Sequence, residues 1–187
     1  MLARSGYTGE LGYELFCARS DAPALWDALM EAGEDFGIAP MGSDALEIIR
    51  IEAGLAARAE FASGGDAHES GLSFAISDKS CSFGGKAALL RNAEHPRRVL
   101  KGLMFDTNDV PAQGAHVFAA ERPIGVITSA VRSPMFGCSI AMTRLSVEYA
   151  TNGTVLEVGQ MDGHMKRLSA TVCDVPFYDP KRMRARA

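Results

Sequence analysis

Arg4-Ser5-Gly6-Tyr7-Thr8-Gly9-Glu10-Leu11-Gly12-Tyr13-Glu14 is the stretch from which the chain's organisation is read. Three glycines recur every third residue, so the backbone can turn tightly and approach a neighbour or a flat ligand closely. The run then passes into alternating side chains that predict a short strand over 13–17. Glu10 is the one carboxylate inside the loop, with Tyr7 three residues before it. An ionised carboxylate accepts two parallel N–H donors, and a partly buried one does so strongly. The same loop also suits an ordinary solvated turn, and its residues alone leave both readings open.

Working outward, Ser20 or Asp21 can cap a helix whose first turn holds Pro23, where a missing N–H costs little. Leu25, Leu29, Ala32 and Phe36 then form an apolar stripe expected to face a sheet, with Gly37 as the stop and Trp26 as a core or interface aromatic. A second helix is expected from Ser43, capped by its hydroxyl, with Leu46, Ile49 and Ala53 on the buried face and Gly54 ending it. On it Glu47 and Arg50 stand three apart, the spacing of a surface ion pair, although Arg50 could instead reach a bound carboxylate. Glu52 does not share that face and is expected to pair with another element. Residues 56–70 read as a connecting loop or lid, 72–76 as a strand and 86–91 as a short helix.

From about residue 98 the texture becomes β-rich. Strands are expected over 99–105, 116–119, 125–131, 138–145, 154–158 and 168–173, separated by turn signals that include Pro111, Asn152-Gly153 and Asp162-Gly163. Six short strands at this spacing predict a small antiparallel barrel. The fold class is therefore α+β, with a mixed α/β segment over 1–95 and a barrel domain over 96–187. The break falls at Glu94-His95-Pro96.

The 187 residues carry 47% hydrophobic and 22% charged side chains and a net charge of −4. That balance fits a globular chain and offers no general attraction for nucleic acid or an anionic membrane. Cys17, Cys81, Cys138 and Cys173 lack C-x-x-C spacing, and the four histidines are scattered, so neither a zinc site nor a disulfide framework is implied. Gly84-Gly85-Lys86 is not a phosphate loop, because Ser80 and Ala87 occupy positions that motif needs for glycine and a hydroxyl. With no leader-like or membrane-spanning apolar run, a cytoplasmic or organelle-matrix protein is expected. The basic tail over 180–187 reads as a solvated end, with a phosphate-contacting arm as its alternative.

The opening run resembles the signature of the glycine-cleavage T-protein, or aminomethyltransferase, family. Further stretches resemble that family in order: Ile49-Arg50-Ile51-Glu52-Ala53-Gly54-Leu55, Glu69-Ser70-Gly71-Leu72, Phe83-Gly84-Gly85-Lys86-Ala87-Ala88-Leu89, Ile124-Gly125-Val126-Ile127-Thr128-Ser129, Ser133-Pro134 with Gly137, and Val175-Pro176-Phe177-Tyr178-Asp179-Pro180. The resemblance implies a three-domain cloverleaf around a folate channel, of which this chain covers part of the middle and the whole terminal barrel. It implies tetrahydrofolate as cofactor, Glu10 as anchor of the pterin ring, Tyr7 beside it, Arg50 as a folate contact and Arg182 as a residue closing the site. A small amine substrate or an aminomethyl carrier protein is the implied partner, and a partner chain bearing the family's N-terminal half, or a second copy, the implied companion.

Three departures stand against a complete transfer. The family's catalytic aspartate lies in its N-terminal half, which has no counterpart here. An arginine expected four residues before Arg50 is Leu46, and a Leu-Tyr-Gly expected after Leu55 reads Ala56-Ala57-Arg58. The expected function is tetrahydrofolate-dependent one-carbon transfer within a longer protein or complex. The alternatives are a non-catalytic folate-binding or barrel subunit of an amine-oxidising or demethylating complex, and an RNA-linked factor using Arg182, Arg184 and Arg186 on phosphates.

Overall fold

The strands after residue 97 turn a row of β-branched and aliphatic side chains inward, and they close on themselves. In a computed structural model that describes residues 1–62, 65–73, 76, 80–159 and 167–186, six antiparallel strands form a closed barrel. They are β3 (Arg98–Phe105), β4 (His116–Ala119), β5 (Arg122–Ser133), β6 (Cys138–Ser146), β7 (Val155–Gly159) and β8 (Leu168–Cys173), in the order β3-β6-β5-β4-β7-β8. The ring is sealed by β3 against β8, with Gly102 opposite Cys173 and Phe105 opposite Ala170. Closure leaves no unpaired edge to template another chain. The expected α+β fold, a mixed segment followed by a small antiparallel barrel, is the fold observed.

Leu103, Val117, Ile127, Ala141, Leu145, Val158 and Val172 fill the barrel and are essentially inaccessible. Each buried large aliphatic side chain contributes about 1.5–3 kcal/mol. Strand β6 is buried at every position from Ser139 to Leu145, because it is covered on both faces. Ala141 and Leu145 point into the barrel, whereas Ile140 and Met142 meet Ile51 on the outside. Strand β5 outruns its expected bounds. A bulge between Ile127 and Ser129 keeps the longer strand in register with β6 around the barrel wall.

The mixed segment comprises a two-residue ribbon, β1 (Leu2–Ala3) with β2 (Glu14–Leu15), and four helices: α1 (Ala22–Ala32), α2 (Ser43–Glu52), α3 (Arg58–Ala62) and α4 (Lys86–Glu94). Several expectations need correction here. No side chain caps α1 or α2; Ser20 bonds Asp21, and Ser43 is already the first helical residue, behind Gly42. Helix α1 stops at Gly33, and Gly37, at φ 71°, ends the 3-10 turn that follows. Gly54, at φ 61°, does follow the end of α2. Residues 56–70 are not simply loop, since α3 forms there and buries Glu60. Of the strand expected over 72–76, Leu72, Ser73 and Ile76 lie in turns, closed by Leu72 N–H to Ala67 and Ile76 N–H to Ser73, while Phe74 and Ala75 lie outside the described residues. Asn152-Gly153 makes a turn into β7 and not a hairpin, because β6 and β7 are not neighbours. Asp162-Gly163 lies outside the described residues.

The apolar stripe of α1 does not meet a sheet. No residue of α1 is buried, Trp26 is 54% exposed and Phe36 88% exposed, and Leu2, Leu11, Tyr13, Leu15, Phe16, Leu29, Ile38 and Met41 are exposed as well. The first 41 residues thus present a large apolar surface, while the barrel beside them is fully packed.

Candidate functional site

Glu10 sits where the glycine loop, the end of α2 and the segment after the barrel converge. The loop lies directly on the helix: at Gly9, φ 78°, an added Cβ would stand 2.5 Å from the Ala53 Cβ. The Glu10 carboxylate accepts the Tyr178 hydroxyl at 3.1 Å, and both its oxygens lie 2.8 Å from Arg184 Nε. Tyr178 is itself fixed, since its N–H donates to the Glu52 carbonyl at 3.0 Å. Burial and donation to Glu10 both push the Tyr178 hydroxyl up from its ordinary value. Arg182 lines a small crevice with Gly9, Ala53, Tyr178, Asp179 and Ala185. Arg182 thus lies beside the loop that carries Glu10, while the side chains that reach Glu10 itself are Tyr178 and Arg184.

Tyr7 and Arg50 belong to a neighbouring network. The Tyr7 hydroxyl donates to the Ala56 carbonyl at 2.6 Å, and burial pushes its ionisation up, with Arg50 opposing and Glu60 and Glu47 reinforcing the shift. Arg50 is not the surface ion pair its spacing suggests. It is 2% exposed, and its guanidinium donates to Glu47, to the Leu55 carbonyl at 3.2 Å, to Glu60 at 3.3 Å and to Ser129 of β5 at 2.7 Å. Glu60, wholly buried, also accepts the Ser129 hydroxyl at 2.5 Å and the Ala57 N–H at 2.7 Å. Burial pulls the Arg50 pKa down, but the Glu47 hydrogen bond and the two carboxylates outweigh it and raise it overall. Every donor on that fork points at protein, so Arg50 locks α2 and α3 to the barrel. Glu52 fulfils its expected role by pairing elsewhere, accepting the buried Ser133 hydroxyl of β5.

Two participants were not anticipated. Tyr178 falls in the quoted Val-Pro-Phe-Tyr-Asp-Pro stretch with no role of its own, and Arg184 enters the sequence reading only within the basic tail, as solvated or as a phosphate contact, not as a partner of Glu10. The signal that could have found Arg184 is its place just after the turn at Asp179-Pro180, which folds the basic tail back towards a lone acidic loop. Among the described residues no cluster of His, Cys, Asp or Glu could hold a metal ion. Burial pushes the Cys173 thiol up to about 11, which disfavours its thiolate at neutral pH. No described helix is long and apolar enough to cross a membrane.

Residues 1–80 match the GCVT N-terminal domain, and residues 98–179 match the glycine cleavage T-protein C-terminal barrel domain. The chain belongs to the glycine-cleavage T-protein family. Among T-protein relatives, an aminomethyltransferase from Bacillus pumilus is 35% identical over 181 residues, which is 95% of this chain and 49% of that protein. A trimethylamine-oxide aldolase from Ruegeria pomeroyi is 45% identical over 190 residues, covering 100% of this chain and 24% of that protein. The crystal structure of the glycine cleavage system aminomethyltransferase T from Bartonella henselae superposes with a TM-score of 0.84 at 28% identity, over 94% of this chain and 49% of that one. The chain therefore spans about half, or less, of the length of the T-protein relatives it matches.

Proposed function

We propose that this chain is the pterin-anchoring and barrel portion of a tetrahydrofolate-dependent one-carbon transferase of the aminomethyltransferase type, completed by the family's other half in a longer protein or a partner chain. The observation that carries this reading is the state of Glu10. Its two oxygens share a single planar N–H donor, Arg184 Nε, and one of them also accepts a tyrosine hydroxyl, so the carboxylate is held as an acceptor of the kind the N–H donors of a pterin edge require. The residues present thus fit the cofactor.

In this reading Glu10 orients the ring, Tyr178 orients Glu10, and Tyr7 offers a half-open aromatic face to the side. Arg182 closes the crevice from the C-terminal segment. Arg50 acts as a positioning residue that keeps α2, and so Ala53 and the glycine loop, against the barrel. Bound tetrahydrofolate supplies the nucleophilic nitrogens that accept the one-carbon unit, while the protein's share is largely placement. The proton-handling acid belongs, on this proposal, to the completing half, and the donor is a small amine or an aminomethyl carrier protein. A cytoplasmic location goes with it.

A second reading, a non-catalytic subunit of an amine-oxidising or demethylating complex, is favoured by one observation. The whole chain aligns with 24% of a trimethylamine-oxide aldolase, so a similar portion also occurs within a longer chain that carries a different name. Calorimetric titration of the purified chain with a reduced folate tests the first reading. The first reading expects micromolar binding that weakens about 10- to 100-fold in Glu10→Ala, the scale of a lost charge-assisted hydrogen-bond pair. A folded chain that binds no folate would overturn the first reading and leave the barrel-only form of the second, whereas its folate-binding form differs from the first by showing no one-carbon transfer once the completing half is added.

A further inference from the structure

The Glu10 carboxylate is engaged by the chain itself, and the engagement is built. Arg184 Nε reaches both Glu10 oxygens across 174 residues of sequence. The segment that delivers it is shaped for the purpose. Asp179 and Arg182 take left-handed conformations, φ 46° and 51°, and reverse the chain. The Asp179 carbonyl accepts the Arg182 N–H at 2.8 Å, and its carboxylate accepts the Arg184 N–H at 2.8 Å. The guanidinium carbon then lies 5.4 Å from the centre of the Tyr178 ring, near the hydroxyl that also binds Glu10.

Like the recognition edge of a pterin, a guanidinium presents N–H donors in one plane; here its Nε alone stands 2.8 Å from both Glu10 oxygens. A donor centred between the two oxygens takes the in-plane position that an incoming N–H edge would need, so the two compete for one place. We propose that Arg184 is an internal occupant of the pterin seat, an autoinhibitory contact that a pterin must displace before Glu10 can receive it. This rests on the folate reading above and adds a regulatory step to that site. Displacement requires only that the short 3-10 turn at Arg184–Arg186 swing away from Asp179. Arg184 is 58% exposed and Glu10 38% exposed, so the contact is a weak surface pair that competes without shutting the site. It joins two full charges, whereas the pterin edge is neutral, so salt screens the internal contact more than the ligand contact.

The test is calorimetry on the full chain with a reduced pterin that lacks the p-aminobenzoyl-glutamate tail, so that a freed Arg184 finds no carboxylate on the ligand. Arg184→Ala and Arg184→Gln are expected to bind about two- to fivefold more tightly than the wild type at low salt. Raising NaCl from about 50 to about 500 mM should close that gap by improving the wild type. Equal affinities at every salt concentration would overturn the proposal. Weaker binding by the variants would overturn it too, by making Arg184 a ligand contact. Glu10→Ala distinguishes the levels: binding that depends on Glu10 but ignores Arg184 removes only the internal occupant, while binding indifferent to Glu10, or absent from all folded variants, removes the anchor as well.

Discussion

Arg50 illustrates how much a single side chain can depend on residues far from it in sequence. Locally it is the third residue after Glu47 on a helix, and nothing in that spacing foretells Ser129, 79 residues later, or the buried Glu60. Removing the guanidinium would strand a wholly buried carboxylate. Arg50→Met is accordingly expected to lower stability by about 3–5 kcal/mol, read as a shift in urea midpoint, and Arg50→Met with Glu60→Leu should lose markedly less. Glu10 stands out in the sequence because it is the carboxylate inside a glycine-rich loop before a strand. Its partners do not, since Tyr178 and Arg184 reach it only after the chain has completed the barrel.

At the level of elements, legibility tracked how local the cause was. Strands β4 and β8 lie where the alternation and turn signals place them, because a strand in a small barrel is specified by its own inward face and by the residues that end it. Of the side of α2 expected to be buried, Ala53 is in the core. Leu46 and Ile49 are only partly covered, while Arg50, Ile51 and Glu52 are buried, because the barrel wall facing the helix presents Ser129 and Ser133 as well as Met142. A rule that sends apolar residues inward fails where the neighbouring surface is polar and pre-paired. Gly54 ties this helix to the segment bearing Tyr178. Its φ of 61° disfavours any side chain, and an added Cβ would stand 2.7 Å from the Pro176 backbone. Gly54→Ala should cost about 1–2 kcal/mol from backbone conformation alone, with more from the clash, in a denaturant titration. The same substitution should weaken pterin binding, because it pushes Tyr178 away from Glu10.

For the whole molecule, the contrast between a sealed barrel and an open first segment sets solution behaviour. Residues 1–41 leave many large apolar side chains exposed, and apolar surface of that kind favours association. The isolated chain is expected to self-associate with rising concentration, measured by sedimentation velocity. Trp26→Ser with Leu29→Ser should shift that association towards monomer while changing thermal stability by no more than about 0.5 kcal/mol, since neither side chain is buried. Adding the family's N-terminal half should suppress association in the wild type if that half covers this face. The pairing of β3 with β8 carries a consequence of a different kind, one of timing. A strand near residue 102 leaves the ribosome without its partner near residue 173, which follows about 70 residues later, a wait of several seconds at synthesis rates of about 5–20 residues per second. Through that interval the edge that will become the seam is bare, so the nascent chain is most vulnerable to pairing with the wrong strand just before its barrel closes.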